Sequence, residues 1–162
     1  MERRRASLRR VAYSLSDARQ ELLEALAEAI ESLSFALACL GEAYDGLDET
    51  SGERLEEAAF RPVQVAYARA RRTYAGFAQR HGIAARTPEE ASAGVSPAGA
   101  RGFIDLALGA VGEAELTLST LQDSMLPVEA GDEELRAGLA AVRDRIAGVS
   151  GDAREFSRTL GR

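Results

Sequence analysis

Apolar residues recur at alternating intervals of three and four along four segments of this sequence. This spacing places the apolar side chains of each segment on one face of an α-helix, because a helix has about 3.6 residues per turn. The first segment shows it most clearly, with Leu26, Ile30, Leu33, Leu37 and Leu40 in register. No segment has the two-residue alternation of a half-buried β-strand. We therefore predict an all-α fold.

Capping residues indicate where the later helices begin. Thr50 and Glu53 have the spacing of a capping box, in which each side chain binds a free backbone N–H group of the other residue. Ser96 followed by Pro97 is a typical helix start, and Asp132 precedes the fourth apolar stripe. The predicted helices span about 16–46, 50–81, 97–126 and 132–160.

Two features interrupt the helical pattern. Pro62 lies inside the second predicted helix, where it removes a backbone hydrogen bond, so we expect a kink or break near residues 58–62. Gly82 ends that helix. Residues 83–96 have no apolar period and contain Thr-Pro, Gly and Ser, and we expect them to form a mobile linker.

The helices are predicted to pair as two antiparallel hairpins, because the first and second and the third and fourth are joined by short connections. Residues 16–162 then form an antiparallel four-helix bundle, with coiled-coil-like stripes facing a common core. Charge supports the first pairing: residues 17–57 contain twelve acidic residues, and residues 58–86 contain six arginines and no acidic residue. The expected ion pairs join Arg71 and Arg72 to Glu24 and Glu28, and Arg80 to Asp17.

Few residues in the chain are suited to catalysis or cofactor binding. The single cysteine, Cys39, excludes an internal disulfide bond. The single histidine, His81, excludes the paired Glu-x-x-His motifs of a di-iron bundle. We expect Cys39 to be a buried thiol and His81 to cap the second helix. No catalytic residue, metal ligand or cofactor is predicted.

Two pairs of carboxylates on the first helix suggest an alternative. Glu21 and Glu24, and further along Glu42 and Asp45, have the i, i+3 spacing that lets two side chains share a helix face and hold a hard cation. The two pairs look similar to the Mg²⁺-binding signature of the all-α MazG-like nucleotide pyrophosphohydrolases. The resemblance implies a metal-dependent hydrolase whose four carboxylates converge from different helices.

The first ten residues contain five arginines in a chain of net charge −6. Residues 1–15 are amphipathic and extend beyond the end of the second helix in the expected register, so we predict a helical arm. It can dock on another copy or a partner protein, fold back on Glu89 and Glu90 of the linker, or bind nucleic acid or an anionic membrane surface. The candidate binding residues are Arg3, Arg4, Arg5, Arg9 and Arg10.

Two large apolar residues, Phe35 and Leu116, lie off the stripes of their helices. Apolar side chains on the outside of a bundle favour contact with a partner or a second copy. The function that we expect is therefore non-enzymatic: a helical interaction or scaffold protein that acts through protein–protein contacts and self-associates. The longest uncharged run of the first helix, residues 32–41, is shorter than a membrane span and no secretory signal is recognisable, so we expect a cytoplasmic protein.

Overall fold

The computed structural model describes residues 2–96 and 98–160; within residues 2–13 it describes the backbone and, of the side chains, only Arg5. All regular secondary structure in these residues is helical, which confirms the all-α prediction. The elements in chain order are α1 (Glu2–Asp45), α2 (Glu49–Leu55), a π-helical turn (Glu56–Phe60), α3 (Arg61–Arg80), α4 (Gly99–Asp123), α5 (Leu126–Glu129), α6 (Glu133–Ile146) and α7 (Val149–Leu160).

The first helix is the longest element. α1 has 44 residues and is about 66 Å long at 1.5 Å per residue. It begins at Glu2, so the backbone of the predicted N-terminal arm continues the helix without a break. Although α1 is long, none of the described helices is apolar enough over a sufficient length to cross a membrane.

The second predicted helix is interrupted, as expected from Pro62. A π-helical turn covers Glu56–Phe60, and α3 then starts at Arg61 with the proline in its first turn. The backbone stays helical through this junction, since Phe60 and Arg61 have α-helical dihedral angles and the amide of Arg61 donates to the backbone oxygen of Glu56. The wider π-helical turn thus directly precedes Pro62, which has no N–H group to donate. α3 ends at Arg80, and Gly82 takes the left-handed conformation (φ 60°) of a helix stop.

The helix starts differ in part from those predicted. The carboxylate of Asp48, not Thr50, caps α2 by accepting a hydrogen bond from the amide of Ser51 at 2.8 Å, so the predicted capping box is wrong. Asp132 caps α6 as predicted, through the amide of Leu135 at 2.8 Å. α4 begins at Gly99, later than expected, and the predicted first residue, Pro97, lies outside the described residues.

The last predicted helix is divided in two. α6 ends at Ile146 and α7 begins at Val149, with Gly148 between them. Glycine destabilises a helix interior by up to about 1 kcal/mol relative to alanine, and the break falls at this residue. Both parts nevertheless bury the predicted stripe, since Leu139, Val142 and Phe156 are at most 3% exposed.

The apolar stripes meet in one core. Most stripe residues that were predicted from periodicity are fully buried, as the stripe of α1 shows at Leu22, Leu26, Ile30 and Leu33. α1 packs against both α3 and α4, α3 packs against α6, and α4 packs against α7. This arrangement is compatible with a four-helix bundle. Its long outer surfaces, and the linker between α3 and α4, are the places where a functional site can form.

Candidate functional site

The exposed apolar side chains are concentrated on α4 and at its two ends. Leu116 is 67% exposed and Leu106 is 42% exposed. Single exposed apolar residues are normal, and these two lie ten residues apart on the same helix. Of the seven large apolar residues that are exposed in the described chain, five lie between residues 95 and 128: Val95, Leu106, Leu116, Met125 and Val128.

Two glycines leave open space beside Leu116. Gly109 and Gly112 lie on the same side of α4 as this leucine, because residues three, four and seven apart share a helix face. A methyl group added at either glycine would meet no neighbouring atom within 4 Å. The result is a shallow, uncovered strip next to a protruding leucine. We call the five residues of this surface the α4 face: Leu106, Gly109, Gly112, Glu113 and Leu116.

Opposite charges stand at the two ends of the α4 face. Arg101 lies eleven residues before Gly112 and Asp123 lies eleven residues after it, and both side chains are exposed. The arginine is near the N-terminus of α4 and the aspartate is its last residue. Each charge therefore lies at the helix end where the helix dipole is least favourable to it.

Phe35 is less exposed than its position off the α1 stripe suggested. It is half-buried and packs against the core. The adjacent Ser34 is 8% exposed, and its hydroxyl oxygen accepts a hydrogen bond from the amide of Ala91 at 3.0 Å. The linker therefore lies over this part of α1, which we had expected to face water. Leu116, by contrast, is exposed as predicted.

The basic arm is described only in outline. Its backbone is helical from Glu2 onward, and the side chain of Arg5 is exposed. The side chains of the other four candidate arginines lie outside the described residues: Arg3, Arg4, Arg9 and Arg10. Ser16 lines the same cavity as His81 and Gly82 at the end of α3.

The carboxylate pairs of α1 do not converge. Glu21, Glu24, Glu42 and Asp45 are all exposed. Because α1 is continuous, residues 24 and 42 lie about 27 Å apart along its axis, which is too far for one ion to bind both pairs within a chain. Across the described residues, no group of three or more His, Cys, Asp or Glu side chains has the geometry to hold a metal ion.

Arg86 of the linker binds two carboxylates of α1 at once. Its Nε and Nη2 atoms donate to Glu24 at 3.1 and 2.9 Å. Its Nη1 and Nη2 atoms donate to Glu31 at 3.1 and 2.7 Å. Both contacts are bidentate, which is the strongest geometry for an arginine and a carboxylate. We call these three residues the Arg86 clamp: Glu24, Glu31 and Arg86.

The clamp changes the acidity of all three groups. Hydrogen bonds from Arg86 lower the pKa of the Glu24 carboxyl from its ordinary value of 4.5. They lower the pKa of Glu31 in the same way, with a further hydrogen bond from the amide of Glu89. The two carboxylates in turn raise the pKa of Arg86 above its ordinary value. The clamp is therefore stable in its charged form at neutral pH.

Further hydrogen bonds hold the linker in place. The hydroxyl of Tyr74 donates to the backbone oxygen of Arg86 at 2.6 Å, and the amide of Glu89 donates to Glu31 at 3.0 Å. Ile83, Ala85 and Ala93 pack against the core. The linker lacks regular structure, as predicted, and it makes these contacts with α1, α3 and the core. The one sequence signal for the clamp was Arg86 itself, the last arginine of the basic segment 58–86, for which no ion pair was predicted.

Arg80 pairs with α6 instead of α1. Its Nε atom lies 2.8 Å from Asp132 Oδ2, its Nη1 atom lies 2.8 Å from Glu134, and Nε2 of His81 lies 2.9 Å from Asp132. The hydrogen bond from Arg80 is the main cause of the strongly lowered pKa of Asp132. The predicted pairing with Asp17 is therefore wrong, because α3 also packs against α6 and Arg80 reaches that neighbour.

The remaining predictions concern Arg71, Arg72, Cys39 and His81. Among the ion pairs of the described residues, neither arginine pairs with Glu24 or Glu28, and Glu24 binds Arg86; the guanidinium of Arg71 lies 5.5 Å from the ring centre of Tyr67. Cys39 is fully buried, and burial raises the pKa of its thiol, with a smaller contribution from Glu42. His81 caps the C-terminus of α3 as predicted.

Comparisons with known proteins add no relative. The chain matches no protein-family model, and neither the curated proteins nor the solved structures with which it was compared contain a match. The features of the chain that bear on its function are the α4 face, the Arg86 clamp and the surfaces around them.

Proposed function

We propose that this chain is a non-enzymatic helical interaction protein that self-associates through the α4 face. The observation that carries the proposal is the concentration of exposed apolar side chains on and around one helix, of which Leu116 and Leu106 are the central members. Removing such side chains from water favours association by roughly 25 cal/mol per Å² of apolar surface. A second copy of the same surface is the simplest partner.

The α4 face is complementary to itself when two copies of α4 run antiparallel. With a two-fold axis near Gly112, Leu116 of one copy lies opposite Gly109 of the other, and the same contact occurs twice. A large side chain then fits against the open space at a glycine. Two-fold symmetry of this kind, in which one patch binds its own copy, is the commonest form of soluble oligomer.

The charges at the ends of α4 fit the same arrangement. Because Arg101 and Asp123 are equally distant from Gly112, each would lie opposite its counterpart on the second copy. Val95, before α4, and Val128, after it, add exposed apolar surface near the two ends of the helix, at 92% and 64% exposure. A parallel arrangement would instead place Arg101 against Arg101 and Asp123 against Asp123, so these end charges favour the antiparallel one, while Glu113 lies near its counterpart in either arrangement.

The scaffold that presents this face is proposed to be a bundle of two antiparallel hairpins. The connection of residues 46–48 between α1 and α2 is short, which favours an antiparallel pair. α4 likewise packs on α6 and α7 after the short segment that contains α5. In this arrangement α4 packs against α1 and α7, and the outer face of α4 is free.

A charge reversal tests the proposed interface. Arg101→Glu places acidic residues opposite each other, and we expect it to weaken the dimer about tenfold. Asp123→Arg has the corresponding effect, and the double variant restores the pairs with their signs exchanged. The helix dipole favours a glutamate near the N-terminus of α4 and an arginine at its C-terminus. Neither substitution therefore destabilises α4 through the dipole, and weaker association would reflect the interface.

Sedimentation equilibrium over a range of concentrations measures these constants. The control is Arg158→Glu, which makes the same charge change on α7, away from the α4 face. Restored association in the double variant supports the proposal. The proposal would be contradicted if the association constants of Arg101→Glu, the double variant and the control were equal, because the proposed charge pairs would then not lie at an interface.

A further inference from the structure

A groove lies between α3 and the linker, separate from the α4 face. Its cavity volume is about 560 Å³, within the range of about 300–1,000 Å³ that is typical of small-molecule sites. One side is formed by α3 and the other by residues 83–88. We call it the α3 groove, and its lining consists of Ala68, Arg71, Arg72, Tyr74, Ala75, Ala78, Ile83, Ala85, Arg86, Thr87 and Pro88.

The floor of the groove is apolar and elongated. Ala68, Ala75 and Ala78 line it from α3, and their small side chains create the space between the helix and the linker. Ile83 and Ala85 complete the apolar wall. From residue 68 to residue 78 the floor extends about 15 Å along the helix axis. This shape fits an extended apolar chain better than a compact ligand.

The wall of the groove is held in place before any ligand binds. The Tyr74 hydroxyl fixes the backbone of Arg86 at 2.6 Å, and the Arg86 clamp joins the same residue to α1. A preformed site avoids the loss of conformational freedom that ordering a loop on binding would require. The clamp surrounds the one guanidinium of Arg86 with two carboxylates, so the positive charge of the groove comes from its other arginines.

Two further arginines stand at the edge of the groove. Arg71 and Arg72 line it and are exposed. Among the ion pairs of the described residues, none joins a carboxylate to either guanidinium. Arg71 is instead positioned over the ring of Tyr67. An apolar floor beside two cations without carboxylate partners is complementary to a molecule that has an apolar tail and an anionic head.

We propose that the α3 groove binds an elongated apolar molecule that ends in a carboxylate. The tail lies on Ala75 and Ala78, and the head group accepts hydrogen bonds one turn earlier on α3 from Arg71 and Arg72, whose planar guanidinium groups match a carboxylate. The inference does not depend on self-association, because the groove is formed by α3 and the linker and not by α4.

Titration calorimetry with sodium octanoate tests the proposal, and octanamide serves as a neutral ligand of the same chain length. Octanoate is expected to bind one site per chain and to bind about tenfold or more tightly than octanamide, because charge-assisted hydrogen bonds are stronger than neutral ones. Equal affinity for the two compounds, or no binding of octanoate, would overturn the proposal.

Two variants locate the site. The double variant Arg71→Gln, Arg72→Gln removes both cations. We expect it to bind octanoate only as tightly as it binds octanamide. The matched control is Arg145→Gln with Arg158→Gln, which changes net charge equally at exposed positions of α6 and α7. The proposal fails if the control and the groove variant lose octanoate affinity to the same extent.

Ala75→Leu tests the apolar floor. Ala75 is exposed, so the larger side chain fills the groove without entering the core, and an unchanged melting temperature checks that the fold is intact. We expect this variant to bind neither compound, because the tail has lost its space. Unchanged binding of octanoate to the Ala75→Leu variant would place the ligand elsewhere and contradict the proposal.

Discussion

Arg86 and Glu31 connect the linker to the middle of α1 through two hydrogen bonds, of 2.7 and 3.1 Å. The partners are 55 residues apart in the chain. Together with Glu24, they hold an irregular segment against a helix, and the same segment forms one wall of the α3 groove. The clamp thus gives the linker a defined position that its sequence composition did not indicate.

Arg86→Gln is expected to release the linker. Loss of the bidentate pairs should reduce the free energy of unfolding by about 1 kcal/mol, since exposed ion pairs contribute about 0.2–1 kcal/mol each. Hydrogen exchange at the amides of Glu89 and Ala91 should become faster, because both donate to α1 side chains. Arg158→Gln is the control for loss of a positive charge. Unchanged exchange at both amides would show that the clamp does not hold the linker.

The clamp should also make stability depend on pH. The folded-state pKa values of Glu24 and Glu31 lie below 4.5, so their ionised forms stabilise the fold above that pH, and the contribution is lost as the pH falls through the lowered values. Urea unfolding of the natural chain and of Arg86→Gln at about pH 7 and about pH 3 measures this effect. The difference in the free energy of unfolding between the two proteins should be smaller at the lower pH. An equal difference at the two pH values would be evidence against the clamp.

Asp132 combines two stabilising roles that substitutions can separate. Its carboxylate caps α6 through Leu135 and binds both Arg80 and His81. Asp132→Ala loses the cap and the charge, and should reduce the free energy of unfolding by about 2 kcal/mol. Asp132→Asn keeps a capping oxygen and should lose about half as much. Equal losses in urea unfolding would mean that the cap contributes nothing.

Gly138 allows α6 to approach α3 closely. A methyl group there would overlap the side chain of Thr73, so Gly138→Ala should be destabilising despite the better helix propensity of alanine. Gly151→Ala is the matched control, because open space surrounds Gly151, and it should be neutral or stabilising by up to about 1 kcal/mol. Adding Thr73→Ala to Gly138→Ala should restore part of the melting temperature. If Thr73→Ala restores none of the lost melting temperature, contact with Thr73 is not the cause of the destabilisation by Gly138→Ala.

Periodicity predicted the helices and the core because burial repeats with the helix turn. Stripe residues of α4 such as Ile104, Val111 and Leu118 are buried as expected. The linker contacts were not predictable in this way, since Arg86 and Ser34 act as single residues whose partners are distant in the chain. The ion pairs of Arg80 were also missed, because the pairing of α3 with α6 depends on the packing of all the helices.

The candidate surfaces were predicted less completely than the core. Leu116 was identified as a residue off its stripe, but Leu106, Gly109 and Gly112 join it only when the outer side of α4 is known. Phe35 had the same sequence signal, yet the structure half-buries it against the core. A polar substitution at Phe35 would therefore disturb folding as well as binding, and Leu116 is the better residue for testing self-association.

The mass of the protein in solution tests the central proposal most directly. Sedimentation equilibrium should give twice the chain mass of 17.3 kDa, and Leu116→Glu should return it to the monomer value. Val65→Glu is the control, because it places the same charge on an exposed apolar position of α3, and it should leave the dimer intact. A monomer mass for the unmodified chain at all concentrations, or a dimer that Leu116→Glu does not weaken, would contradict the account.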